Sequence, residues 1–261
     1  MSWSLRLQGV GNASAVELGS AMATIEQDDV PWLTIDCGGE GLTAYLDTYG
    51  QAPDAVFMTH AHLDHVGGFE RWFVDSYFNP ERRGRVRVYV PAPLVPILHQ
   101  RVGDYPNVLA EGGANFWDAF QLIPVGASFW HQGVRLEVFP VRHHWPDTAF
   151  GLRLHGSLVW TGDTRPIPEA LARFAGANEL IAHDCALHGN PSHSGIEDLE
   201  REYPRELLDR CLLYHYASRE EGDALVARGY RVARPGDLVA LAETTAERVA
   251  TDSHKSGDPA G

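Results

Sequence analysis

A chain of 261 residues with 44% hydrophobic and 21% charged side chains can bury a substantial core, which excludes wholesale disorder. Its 21 basic and 35 acidic side chains leave a formal charge of −14, and so acidic a surface repels polyanions, so general nucleic-acid binding is not expected. Cys37, Cys185 and Cys211 are too few for a disulfide framework, and no apolar run reaches the roughly 18 residues that span a bilayer. The opening residues lack the apolar core of a secretory signal, so a cytoplasmic protein is the expectation.

Along the chain, short β-branched or aromatic runs predict strands at 31–37, 55–60, 86–90, 134–141, 150–154, 157–161, 179–184, 211–216 and 238–241. Helices are predicted between them, at 41–49, 67–77, 93–102, 196–210 and 219–228. Glu197, Asp198, Glu200 and Glu202 load the start of the fourth helix with acid, as its dipole favours. Strands alternating with helices predict the α/β or α+β class. One domain over 1–248 is expected, followed by a small, polar, flexible tail at 249–261.

The strongest chemical signal is Thr59-His60-Ala61-His62-Leu63-Asp64-His65, which opens where the strand predicted at 55–60 ends. Four metal-binding side chains within six positions, on a turn leaving a strand, can face one side of a loop. Imidazole nitrogen and carboxylate oxygen suit zinc, or iron and manganese of intermediate softness. Gly67 and Gly68 follow and let the backbone turn tightly. Later strand ends carry Arg142-His143-His144, Thr161-Gly162-Asp163, His183-Asp184-Cys185 and Tyr214-His215-Tyr216. One histidine at a strand end is usually a core residue. Several such ends, after an H-x-H-x-D-H turn, are what a metal pair requires of the rest of the chain.

These motifs, with Gly9-Val-Gly-Asn-Ala-Ser14 and Leu33-Thr-Ile-Asp36-Cys-Gly38 before them, resemble the metallo-β-lactamase fold over about residues 5–245. The resemblance implies an αββα sandwich of two similar halves, with metals in a groove at one edge of the sheets. Within that superfamily the chain is most similar to the RNase Z-like phosphodiesterases. That pattern implies His60, His62 and His143 on a first metal and Asp64, His65 and His215 on a second, with Asp163 bridging them. It also implies an acidic residue at a strand end, here Asp184, and a histidine roughly 20 residues before the last ligand, here His193.

Three departures stand out. Asp184 occupies a place where RNase Z usually has Glu. The stretch from His143 to Gly151 is long, which sets His143 against His144 as a ligand; the spacing after Phe139-Pro140-Val141-Arg142 favours His143. No long Gly/Pro-rich arm of the kind that grips a tRNA elbow is found, which with the charge argues against a tRNA 3′-processing endonuclease.

Two divalent ions, with zinc favoured over manganese or iron, would hold a bridging hydroxide and attract an anionic phosphodiester. The expected function is therefore a metal-dependent hydrolase, a phosphodiesterase acting on a small nucleotide or similar anion. Asp64, His193 and Asp184 are the candidate catalytic side chains, His193 donating a proton to the leaving oxygen and Asp184 orienting it or a ligand imidazole. Hydrolysis of a thioester or lactone is the alternative, since a thiolate leaves without an acid. A flavodiiron-type redox protein usually has Glu where His62 stands, and a non-catalytic binding protein would have lost ligands. Family resemblance further implies a homodimer. Trp145 is a candidate pocket wall. Tyr105, Phe116 and Trp117 are either a groove cover or core, and Arg71, Arg82, Arg83, Arg85 and Arg87 a solvated basic face.

Overall fold

Trp3, Leu5 and Leu7 alternate with Ser4 and Arg6 in the first strand, and only the former set is fully buried. That two-residue period sets one face of an antiparallel strand against the core. The computed structural model describes residues 1–103 and 114–249. Tyr105 and all but the first residue of the expected tail lie outside the described residues.

The first sheet comprises β1 (Trp3–Gly9), β2 (Met22–Gln27), β3 (Val30–Ile35), β4 (Ala55–Phe57), β5 (Val86–Pro91), β6 (Phe120–Val125) and β14 (Leu238–Leu241). The second comprises β7 (Ser128–His131), β8 (Val134–Pro140), β9 (Phe150–Leu154), β10 (Leu158–Trp160), β11 (Leu180–Asp184), β12 (Cys211–Tyr214) and β13 (Arg231–Val232). Their orders are β14-β1-β2-β3-β4-β5-β6 and β13-β12-β11-β10-β9-β8-β7. In each sheet four strands are antiparallel at one end and the remainder parallel. The chain therefore has the metallo-β-lactamase fold of α+β class that its motifs implied.

The parallel strands β4 and β12 are buried along their whole length, as strands covered on both faces are. Helices are α1 (Gly39–Tyr49), α2 (Leu63–Val66), α3 (Phe69–Tyr77), α4 (Val95–Leu98), α5 (Pro168–Phe174), α6 (Ile196–Glu202), α7 (Arg205–Leu208) and α8 (Arg219–Ala227). In α3, Phe69, Trp72, Phe73 and Ser76 form the buried stripe, a spacing of three and four residues. The helix expected at 196–210 is two, because Pro204 holds Tyr203 in an extended conformation (φ −115°, ψ 139°). The helix expected at 67–77 likewise starts at Phe69, after the separate turn α2.

Register delivers the site. Trp160 pairs with Ala182 and Asp184 with Tyr214 across parallel strands, so the residues after β10 and β12 emerge beside Asp184 at one end of the second sheet. Ile35 pairs with Phe57 in the first sheet, bringing Asp36 and the His60 turn to the carboxyl ends of β3 and β4. Ligand sites in α/β sheets form at such ends.

Several sequence expectations resolve as packing. Phe116 is buried against Phe73 and Phe120, with Trp117 beside it, so both belong to the core rather than to a groove cover. Arg82 is buried, not solvated: its guanidinium donates to Asp54 and to the carbonyls of Ala52 and Pro53. His131 is held between the Tyr89 hydroxyl and the Trp32 carbonyl, and burial pushes its ring down to about 4.

Candidate metal centre

The turn after β4 is built around Asp36. Its backbone sits in the left-handed region (φ 63°), and its carboxylate is fully buried. Oδ1 accepts the Thr59 N–H at 2.8 Å, while Oδ2 accepts the Thr59 hydroxyl and His65 Nδ1–H, each at 2.7 Å. One carboxylate thereby fixes both ends of the motif from Thr59 to His65. Asp36 is the residue that motif reading passed over; the visible signal was a carboxylate closing an apolar strand.

Thr59 has spent its hydroxyl proton on Asp36, so at 3.1 Å it can only accept from His60 Nδ1–H. His60 Nε2 is therefore a lone pair. His143 Nδ1–H donates to the Ser192 carbonyl at 3.0 Å, which makes its Nε2 a lone pair too. Both nitrogens face His62 Nδ1, at 3.1 and 3.2 Å. A proton on His62 can serve one of them, not both. His60, His62, His143 and Asp163 offer one ligand atom each, all within 4.8 Å of one another.

A second group with the same spread comprises Asp64, His65, Asp163 and His215. Asp163 Oδ2 lies 3.2 Å from His65 Nε2, 3.1 Å from His215 Nε2 and 3.6 Å from His60 Nε2. It thus belongs to both groups. Gly162 (φ 64°) precedes it, and a Cβ there would lie 3.0 Å from the Phe150 carbonyl, so the approach to Asp163 requires glycine. Burial opposes ionisation of Asp163, yet His215, His65 and His60 hold its carboxyl well below the usual range.

His65 Nε2, His215 Nε2 and both carboxylate oxygens of Asp163 are buried without a hydrogen-bond partner. They approach one another closely but are not aligned to donate. Unsatisfied buried polar atoms cost roughly 1–3 kcal/mol each, more when charged. Four of them converging on one place fit divalent cations, and so does the donor set. The outward nitrogens are occupied as metal-binding imidazoles require: His65 on Asp36, His60 on Thr59, His143 on Ser192, and His62 Nε2 on His144 Nε2 at 2.9 Å. His215 Nδ1 faces Asp184 Oδ1 at 3.5 Å, and His215 itself has a left-handed backbone (φ 72°).

All seven residues expected to hold metal are brought together. His144 stays outside the first group, exposed and behind His62. His193 Nδ1 is 2.8 Å from Asp184 Oδ2, and its ring stacks on His215 with centroids 4.8 Å apart. His193 shares a cavity of 330 Å³ with Asp64, Asp163 and His215. His183 turns away, to the Asp184 carbonyl and the Tyr203 hydroxyl. A further cavity of 610 Å³ adjoins His60, His62, His143 and His144, walled by Trp145, Arg101 and Arg165.

A family model described as "Anti-Pycsar protein Apyc1" matches residues 3–238. The chain is 30% identical over 229 residues to an anti-Pycsar protein Apyc1 of Saccharibacillus brassicae, covering 83% of this chain and 91% of that one. Among solved structures it is similar to a diphosphatase from the PhnP family (TM-score 0.72, 16% identity, 95% of this chain and all of that one). It is also similar to the metallo-beta-lactamase fold protein YhfI from Bacillus subtilis (TM-score 0.69, 14% identity, 92% of this chain and all of that one).

Proposed function

The chain belongs to the anti-Pycsar protein Apyc1 family, and from that premise we propose that it is a phosphodiesterase opening a small cyclic nucleotide at a pair of divalent metal ions. At the coarser level it is a metal-dependent hydrolase with a small anionic substrate. One observation carries the two-metal part of this reading: Asp163 stands in both His/Asp groups, and its buried oxygens have no hydrogen-bond partner.

His60, His62 and His143 would hold one ion, Asp64, His65 and His215 the other, and Asp163 would be shared. The nitrogen-rich donor set favours zinc. When bound, such a pair activates water and offsets charge developing on the phosphoryl oxygens. The chain's own residues supply the rest. Asp36, Thr59 and the Ser192 carbonyl fix which nitrogen of each ligand ring faces inward. Asp184 holds His193 by Nδ1, leaving Nε2 as the nitrogen that can donate a proton to the departing ribose oxygen. Asp64, ionised through His215 and His65 against the effect of burial, keeps negative charge at the second position.

Cavities of 610 and 330 Å³ both reach His62, a scale suited to a mononucleotide rather than to folded RNA. The RNase Z-like resemblance supports a homodimer, and the free cysteines Cys37, Cys185 and Cys211 support a cytoplasmic site of action. Elemental analysis, with a screen of cyclic nucleotides, linear phosphodiesters, thioesters and lactones, tests this function. Two metals per chain and preferential cleavage of cyclic nucleotides are expected. Faster turnover of thioesters or lactones would overturn it.

A further inference from the structure

Trp145 is 82% exposed, whereas Trp3, Trp32, Trp72 and Trp160 are at most 5% exposed. Exposing a whole indole forgoes one of the largest burial gains a side chain can make. It is not on a loose end. Its carbonyl accepts the Thr148 hydroxyl at 2.7 Å, closing a tight turn in which Asp147 takes the left-handed conformation (φ 61°). The turn starts two residues after His143, and Trp145 lines the same 610 Å³ cavity as His60, His62 and His143. No described ring packs on it.

Arg101 and Arg165 line that cavity as well, and neither guanidinium has a carboxylate within ion-pair reach among the described residues. In a chain of charge −14, two unneutralised cations beside an exposed aromatic face make a place for a flat, anionic molecule. We infer that Trp145 is the platform on which the nucleobase of the substrate stacks, with Arg101 and Arg165 drawing its phosphate into the groove. This rests on the cyclic-nucleotide reading above and adds the residue that orients the substrate.

Trp145 is also the reporter. A hydrolysis-resistant 3′,5′-cyclic nucleotide phosphorothioate should quench the fluorescence of the purified, metal-loaded protein, and Trp145→Phe should abolish the quench while retaining affinity. Trp145→Ala should raise KM for a cyclic nucleotide about tenfold, the scale of base–aromatic stacking, with kcat and metal content near wild type. Base-free ribose 3′,5′-cyclic phosphate should be cleaved equally by wild type and Trp145→Ala. Equal losses on both substrates would make Trp145 a mere wall and overturn the platform, as would an unchanged KM on both. If the wild type neither binds nor cleaves any cyclic nucleotide, the proposed function falls and takes the platform with it.

Discussion

His193 and Asp184 form a hydrogen-bonded pair: Nδ1 lies 2.8 Å from Oδ2, the carboxylate is fully buried, and the ring is 21% exposed. Asp184 also accepts the Thr164 N–H at 2.8 Å, which fixes the carboxylate and through it the ring. If Nε2 donates to a leaving alkoxide, His193→Ala should lose about 10²–10⁴-fold in kcat on a cyclic nucleotide. On bis(p-nitrophenyl) phosphate, whose phenolate leaves unprotonated, the loss should be far smaller, and metal content should not change. Equal losses on both substrates would remove His193 from the role of acid.

Asp163 joins both groups through one carboxylate, so its removal should not act on a single site. Asp163→Ala is expected to lower the metal content at both positions, whereas His60→Ala should spare the one formed by Asp64, His65 and His215. Elemental analysis after equilibration against limiting free zinc separates the two. A one-metal Asp163→Ala protein would contradict the shared role.

The adjacent histidines should also behave differently. His143 Nε2 faces His62 Nδ1 at 3.2 Å inside the first group, while His144 touches the opposite nitrogen of His62 from the solvent side. His143→Ala should abolish activity and lower metal content. His144→Ala should leave metal content nearly unchanged, because His62 Nε2–H can donate to water instead. Metal loss confined to His144→Ala would mean that the ligand assignment is reversed.

Contiguity decided what could be read from residues alone. His60, His62, Asp64 and His65 lie on one turn, so their convergence needs no knowledge of the fold, and Asp163, Asp184 and His215 each close an apolar strand. Asp36 does the same, but its task depends on a left-handed backbone and on a neighbour 29 residues away, which no local pattern records. β2 and β6 carry glutamine, threonine or proline among their apolar residues and escaped the run criterion. α5 has seven residues, too few for a helical period to emerge. The break in the helix expected at 196–210 was legible at Pro204 and was outweighed by the acidic start.

Metal loading should release protons. In the metal-free chain, burial disfavours charge on His65 and His215, but Asp163 and Asp36 around the first and Asp163 and Asp184 around the second outweigh it, holding both rings well above the usual histidine range. Both rings are therefore protonated at neutral pH, and an ion must displace about two protons to enter that group. Burial acts the other way on His60 and His143, keeping the first well below its usual range and the second down at about 4. Affinity at the Asp64–His65–His215 position should thus fall as pH drops through neutrality, while the His60–His62–His143 position holds until more acid conditions. Calorimetry in buffers of different ionisation enthalpy measures the release; a pH-independent affinity at both positions would refute this order.

Asp36 offers a test of tautomer control that leaves all seven ligands in place. Asn retains tolerance of the left-handed backbone, so Asp36→Asn should fold. Its amide oxygen must still accept the Thr59 N–H, which turns its NH₂ toward His65 Nδ1. Nδ1 must then accept, and the proton of a neutral ring moves to Nε2, the nitrogen that faces Asp163 at 3.2 Å. A ring protonated there cannot bind a cation. Replacing such orienting partners typically costs 10–100-fold in metal affinity, so zinc competition against a chelator should show a loss of that size at the position shared by Asp64 and His215. Asp36→Ala should instead destabilise the fold by about 1–3 kcal/mol, because the buried Thr59 N–H loses its acceptor. Wild-type zinc affinity in Asp36→Asn would show that His65 takes its orientation from packing and not from this carboxylate.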